Sequence, residues 1–180
     1  MFGEWVSAWN LKRSAYYTGR MTNPYAKFVA GNDPLEMLER TPRLISDLAQ
    51  EIGQVGFEKS YAPGKWSGRF ILAHLADCEV AFGFRWRQVA YSPGLTVQPF
   101  DQDAWAKNYQ KLEAKWALGA FITARLWNIE FLKALPNDAF ENTAMHPERG
   151  ELTLQNMIEI TAGHDVNHLE QLEMLVSRLV

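Results

Sequence analysis

The sequence predicts an all-α protein, a four-helix bundle with long connections between its helices. Three observations carry that expectation. Four segments repeat apolar residues at spacings of three and four, as one face of a helix requires. The stretches between them are polar and broken by glycine and proline. No segment forms a convincing strand run. At 180 residues the chain has single-domain size. It can bury roughly 70% of the surface its unfolded form exposes, so it needs neither disulfides nor metal merely to fold.

The first helix is expected over 34–55, with Leu35, Leu38, Leu44, Ile45, Leu48 and Ile52 on one face. Pro42 interrupts it and predicts a restart there, because proline is tolerated only near a helix start. "GFEKSYAPGKWSG" is a loop, and Ser67 is the N-cap of the second helix. Ile71, His74, Leu75, Cys78, Phe82, Arg85, Trp86 and Val89 form its seam. "SPGLTVQPFDQD", 92–103, is a long connection of the kind that often carries function. The third helix is expected from Trp105 to Leu135, capped by Asp103 and stopped by Pro136. Trp116, Ala120, Ile122, Leu126, Ile129 and Leu132 are its expected apolar face. After the loop "NDAFENTAMHPERGEL", Thr153 caps the last helix. Its seam is Leu154, Met157, Thr161, His164, His168, Leu172, Leu175 and Leu179.

Composition narrows the function. A net charge of −3 without any basic run disfavours nucleic-acid binding. The single cysteine, Cys78, cannot form an internal disulfide and suits a reducing compartment, so a cytoplasmic location is expected. No apolar run reaches the roughly 20 residues of a membrane span. Seven tryptophans predict an aromatic core or pocket. Met21 opens "MTNPYAKF". Residues 1–20 are therefore expected to be an extension upstream of the natural start, with a domain over 21–180. The alternative is a segment that packs its aromatics on the domain.

Two of the four histidines stand four residues apart in "GHDVNH", 163–168, inside the apolar pattern. Residues one helical turn apart share a face, so His164 and His168 point together into the bundle. Buried imidazoles need partners, and a divalent cation accepts the lone pairs of several at once. His74, on the seam of another helix, is the natural third ligand. Three histidines and water match an open, catalytic type of site. Gln171, three residues past His168, is a candidate support or substrate contact. Asp77 could orient an imidazole, Trp105 could line a pocket, and Arg85 or Arg87 could hold an anionic substrate. Cys78 is read as a small buried residue that could serve as a soft ligand. His146 is read as a loop residue at the far end of the bundle. Thr153 lies about 16 Å from His164 along the last helix, so His146, which precedes Thr153, belongs at that other end unless the loop folds back. The metal-free reading, with hydrogen-bonded core histidines, remains open at this point.

"PGKWSGRFILAHLADCE", "FDQDAWA", "HPERGELT" and "AGHDVNHLEQLE", in this order, resemble the DinB/YfiT-like family of metalloenzymes, the DinB superfamily. The resemblance spans about Met21 to Val180. It implies a four-helix bundle, often a homodimer, and a divalent metal, zinc or nickel, held at the positions of His74, His164 and His168. It also implies chemistry of one of two kinds: thiol-dependent S-transfer or isomerisation with a low-molecular-weight thiol, or metal-dependent hydrolysis. No glutamate adjoins the histidines as in "HExxH" proteases, which favours thiol chemistry on a small electrophile. The competing expectation is a non-enzymatic, stress-linked dimer whose metal stabilises the fold or reports the metal level.

Overall fold

The computed structural model describes residues 23–179. The expected extension over 1–20 and the proposed start at Met21 lie outside the described residues. A short helix, α1 (Ala26–Val29), precedes the first long one, α2 (Pro34–Gly56). Then come α3 (Gly68–Tyr91), the short α4 (Gln102–Ala106), α5 (Ala114–Lys133) and α6 (Leu154–Leu179). Helices α2, α3, α5 and α6 form a four-helix bundle. In it α2 packs mainly on α6 and α5, and α3 on α5 and α6. Sequential partners α2 and α3 therefore face each other across the bundle, as do α5 and α6. Crossing it twice requires the long connections over 57–67 and 134–153.

Local chemistry sets the helix ends. The Asp33 carboxylate accepts the backbone N–H groups of Leu35 and Glu36 at the start of α2. Ser67 caps α3 through the Phe70 N–H. Thr153 and Asn156 cap α6 reciprocally, each side chain accepting the other's backbone N–H. Pro42 does not restart α2; it is buried within a helix that runs on to a kink at Gly53, where φ is 62°. Having no N–H, proline leaves the carbonyl four residues earlier without its helical donor. That carbonyl, on Leu38, accepts instead from Arg125 Nη1 at 3.3 Å.

The expected third helix is interrupted. Asp101, rather than Asp103, caps α4. The chain then makes a short 3-10 turn at Tyr109–Lys111 and is extended at Leu112 before α5 begins. Tertiary contacts hold the break: the buried Tyr109 donates its hydroxyl to Asp77 at 2.7 Å, and Arg69 binds the Leu112 carbonyl. The buried face of α5 is Ala114, Ala117, Phe121, Arg125, Asn128, Ile129 and Leu132. Trp116, Ala120 and Leu126 of the expected stripe are exposed. Two polar residues on the true inner face disguise it to a hydropathy reading.

One element is not helical. β1 (Thr143–His146) and β2 (Gly150–Thr153) form an antiparallel hairpin, with Thr143 opposite Thr153 and His146 opposite Gly150. Residues 94–97 run along β1, with Met145 donating to the Leu95 carbonyl and Val97 to the Met145 carbonyl, both at 2.9 Å. Four residues per strand are too few to show alternation in sequence. The hairpin and the 92–100 connection thus form one tied unit.

The core has two apolar parts. One contains Ile45, Ile52, Leu72, Phe121, Leu172 and Leu175; the other contains Leu38, Trp86, Val89, Leu132, Leu154 and Ile158. Between them every long helix contributes buried polar groups: Thr41, His74, Glu79, Arg125, Asn128, His164, Asp165 and His168. Helices approach closely at this level. A Cβ on Gly83 of α3 would lie 2.4 Å from the Asn128 amide.

Candidate metal centre

His74 on α3 meets His164 and His168 on α6. The Nε2 atoms of His74 and His164 are 3.0 Å apart, and those of His164 and His168 are 3.1 Å apart. Each residue is 7% exposed or less. Imidazole nitrogens bound to one tetrahedral zinc at 2.0–2.1 Å stand about 3.3 Å from each other. The spacing here is close to that. The structure thus brings together the residues that the seam pattern placed on two helices.

The outer ring nitrogens explain why a cation fits. His168 Nδ1 lies 2.9 Å from Gln171 Oε1, an acceptor, so the ring carries its proton on Nδ1. His164 Nδ1 is buried and has no hydrogen-bond partner among the described residues; Asp165 Oδ1 lies 3.7 Å away on that side. A carboxylate there favours the proton on Nδ1 as well. The two Nε2 lone pairs then face each other at 3.1 Å, an arrangement that needs a positive charge between them. Protons supply it poorly. Burial, followed by the neighbouring His164, pushes the His74 pKa down to about 3. Burial, followed by His164 and His74, holds His168 well below the ordinary histidine range. A divalent ion suits neutral, inward-facing nitrogens.

Cys78, one turn past His74, is 2% exposed. Its sulfur is 3.5 Å from His74 Nε2 and 4.0 Å from His164 Nε2. These three ligand atoms all lie within 4.8 Å of one another. Burial raises the thiol pKa, and the carboxylates of Asp165, Glu79 and Asp77 raise it further.

Behind the histidines lies a buried ion network. Arg125, 0% exposed, donates to Asp165 Oδ2 at 2.6 Å and to Glu79 Oε1 at 2.5 Å. Asn128 donates to Glu79 Oε2 at 3.0 Å. Burial alone would raise the Asp165 carboxyl; the Arg125 charge outweighs it and holds the group below the carboxylate range. Asp165, between the two histidines in sequence, is therefore turned into the bundle and is 1% exposed. The sequence reading missed Arg125, Glu79 and Asp165. Charged residues in phase with apolar seams were the available signal.

The histidines stand between two cavities. The larger, about 640 Å³, is lined by His74, Cys78, Phe82, Arg85, Phe100 and His146, among others. The smaller, about 310 Å³, is reached past Trp66, Tyr61 and Gln171. Tyr25 lines both. Its ring packs edge-on against His164, with centroids 5.7 Å apart. That approach requires a glycine in α6, since a Cβ on Gly163 would lie 2.4 Å from the Tyr25 Cβ.

The remaining expected residues divide. Gln171 contacts His168, and Arg85 lines the larger cavity. Asp77 takes the Tyr109 hydroxyl instead of an imidazole, because Tyr109 reaches it from the interrupted third helix. Trp105 lines neither cavity; it stacks on Phe100 with centroids 4.7 Å apart and is 40% exposed. Arg87 binds the Gly83 carbonyl and Asn128, away from both cavities. His146 is not at the far end of the bundle. The hairpin folds back and places it in the wall of the larger cavity.

Comparison with known proteins agrees with this architecture. The chain is 25% identical to a protein of Oceanobacillus iheyensis named "putative metal-dependent hydrolase", over 90% of this chain and 92% of that protein. It is 23% identical to a protein of the same name from Bacillus cereus, over 81% and 84% of the two. Among solved structures it resembles YfiT from Bacillus subtilis, described as "a probable metal-dependent hydrolase with an unusual four-helix bundle topology". The TM-score is 0.76 at 20% identity, covering 91% of this chain and 93% of that one. It also resembles the mycothiol-dependent maleylpyruvate isomerase, with a TM-score of 0.66 at 12% identity over 77% of this chain and 59% of the other. The four-helix bundle is thus a fold shared with these structures. The model of one family matches residues 37–172, and by that match the chain belongs to the DinB superfamily.

Proposed function

We propose that this protein is a metal-dependent enzyme that joins a low-molecular-weight thiol to a small electrophile. His74, His164 and His168 would hold zinc or nickel through their Nε2 atoms. One observation carries the reading: three imidazole nitrogens converge beside a cavity large enough for a small molecule. A divalent ion held there lowers the pKa of a coordinated thiol or water and so supplies a nucleophile near neutral pH.

The chain's own groups favour a thiol over water. Hydrolysis benefits from a base beside the attacking water. Asp165, 3.7 Å from His164, and Glu79 are tied to Arg125; of the carboxylates in the cavity wall, Asp101 caps α4 and Glu148 lies on the exposed hairpin turn. His146 lines the cavity, but its Nδ1 accepts the Glu148 backbone N–H at 3.2 Å, which leaves Nε2 protonated and unable to take a proton. A thiol needs no such base once its pKa is lowered. Its sulfur forms the new bond to the substrate carbon, the displaced group leaves with its electron pair, and the thiol proton passes to solvent. Exposed apolar side chains on α3 and α5, including Phe84, Trp116 and Trp127, support the homodimer that the resemblance implies.

The test uses untagged, zinc- or nickel-loaded protein with glutathione, bacillithiol or mycothiol and monochlorobimane as electrophile. The expected result is thiol-dependent conjugation that is lost on chelation and in His164→Ala. Turnover of p-nitrophenyl acetate with no thiol requirement would establish the hydrolase alternative instead.

A second reading, a closed structural centre in a non-enzymatic dimer, has one observation in its favour. A thiolate and an imidazole on one zinc stand about 3.6 Å apart, and Cys78 Sγ lies 3.5 Å from His74 Nε2. Cobalt substitution separates the two. A sulfur-to-cobalt charge-transfer band that vanishes in Cys78→Ser marks the closed centre. A band that appears only when exogenous thiol is added marks the open one.

A further inference from the structure

We propose that the larger cavity selects substrates carrying an anionic group, a carboxylate in the first instance, which is held where Arg85 of α3 meets Arg149 at the hairpin turn. The inference rests on the reading of this cavity as the substrate site.

Both arginines line the cavity, together with His146 and Tyr25. Arg85 is half-buried; the Glu148 charge acts on it from the hairpin turn, but its hydrogen-bond and ring contacts are uncharged. Nη2 donates to the Gln98 carbonyl, and the guanidinium lies 5.2 Å from the Phe100 ring centre and 6.0 Å from that of Phe82. Among the described residues neither Arg85 nor Arg149 has a carboxylate within 4.0 Å. The two carboxylates in the cavity wall do not supply one. Asp101 accepts the N–H groups of Asp103 and Ala104 at the start of α4. Glu148 is exposed to solvent on the hairpin turn.

Two cations sharing one partly desolvated cavity oppose each other and favour an anion between them. Burial lowers the Arg85 pKa; of the charges in the cavity wall, Glu148 raises it and Arg149 lowers it. The adjacent groups are donors. With Nδ1 accepting from Glu148, the neutral His146 ring presents Nε2–H. Its pKa is lowered by burial and then by Arg85 and Arg149, so it stays neutral near pH 7. Guanidinium groups bind carboxylate in a fork of two parallel hydrogen bonds. Phe82, Phe100, Leu152, Met157 and Ile160 make up an apolar part of the wall, and the cavity leads to His74 and His164. The fitting ligand has an apolar body, an oxyanion at the arginine end and its reactive carbon toward the histidines.

The test measures binding of phenylacetate, phenyl phosphate and neutral phenylacetamide by titration calorimetry. It uses zinc-loaded protein and chelator-stripped protein, with metal content read in each preparation. Charge-assisted hydrogen bonds predict that the carboxylate binds at least about tenfold more tightly than the amide. Arg85→Gln and Arg149→Gln should each remove most of that preference and leave phenylacetamide unchanged. Arg149 is on a surface turn, so its variant keeps the fold, which circular dichroism verifies. The preference should persist in stripped protein. Tighter binding of phenyl phosphate than phenylacetate assigns the subsite to phosphate esters and upholds the oxyanion. Equal binding of acid and amide, or no binding of either anion, overturns the proposal. So does a preference that disappears with the metal yet survives both arginine substitutions; that result leaves the metal reading standing. Absence of metal uptake defeats the metal reading and leaves the arginine result to stand by itself.

Discussion

Replacing Arg125 with methionine removes the one cation that serves two buried carboxylates. Asp165 and Glu79 are each about 1% exposed, and both lose their guanidinium partner. Asn128 still donates to Glu79, but Asp165 keeps only the His164 ring, whose Nδ1 is 3.7 Å from Oδ1. The Leu38 carbonyl, already without a helical donor because of Pro42, loses its replacement. Breaking a buried ion pair from one side costs about 3–5 kcal/mol, and an orphaned carbonyl costs about 1–3 kcal/mol. These terms are coupled and do not add. The carboxylates limit the cost by taking up protons. The expected loss is about 3–5 kcal/mol at pH 7, a large share of the 5–15 kcal/mol that typical domains have. Urea unfolding of wild type, Arg125→Met and the triple variant Arg125→Met, Glu79→Gln, Asp165→Asn measures it. The triple variant should regain more than half of the loss. The sign with pH is also fixed. In wild type the depressed Asp165 pKa gives stability that is present above the ordinary carboxylate range and lost as pH falls through it. In Arg125→Met the pKa values are raised, so the deficit against wild type shrinks on acidification. A loss below about 1 kcal/mol, or a triple variant no better than the single one, would refute the network as the link between the two apolar parts.

Three further outcomes follow from the site. In chelated protein His74, with a folded pKa of about 3, lies below its unfolded value. Its contribution is complete above about pH 6.5 and is lost as pH falls toward 3, by about 2 kcal/mol between pH 7 and 5; a flat urea midpoint over that range contradicts the neutral-imidazole account. Gly163→Ala places a methyl group against Tyr25 and should cost about 1–3 kcal/mol while loosening 23–29 from α6, visible as faster hydrogen exchange there. Unchanged exchange removes Tyr25 as the cover of His164. Gln171→Ala frees the His168 tautomer and should weaken metal binding about 10- to 100-fold in competition with a chromophoric chelator, with little change in metal-free stability. Equal affinity would show that Gln171 is a bystander.

Much of the molecule was legible from spacing alone. His164 and His168 shared a face because four residues make one helical turn, and His74 announced itself by falling in phase with Ile71, Leu75 and Cys78. Ser67 and Thr153 read correctly as caps because capping is local chemistry. What failed was decided over longer distances. Arg125 and Asn128 were absent from the expected face of α5, which ran through Trp116 and Leu126, because hydropathy gives no sign of the Glu79 and Asp165 that bury them. Pro42 reads as a break unless the arginine that replaces its missing bond is known. His146 was misplaced because distance counted along a helix says nothing about a hairpin that folds back over the bundle.

The most direct test of the central claim is the metal content of the purified, untagged protein, measured by mass spectrometry beside the His164→Ala, His168→Ala double variant. The account predicts about one zinc or nickel per chain in wild type and none in the variant. A wild-type protein that stays metal-free after reconstitution, with a double variant just as stable, would contradict it and leave the three histidines as core packing.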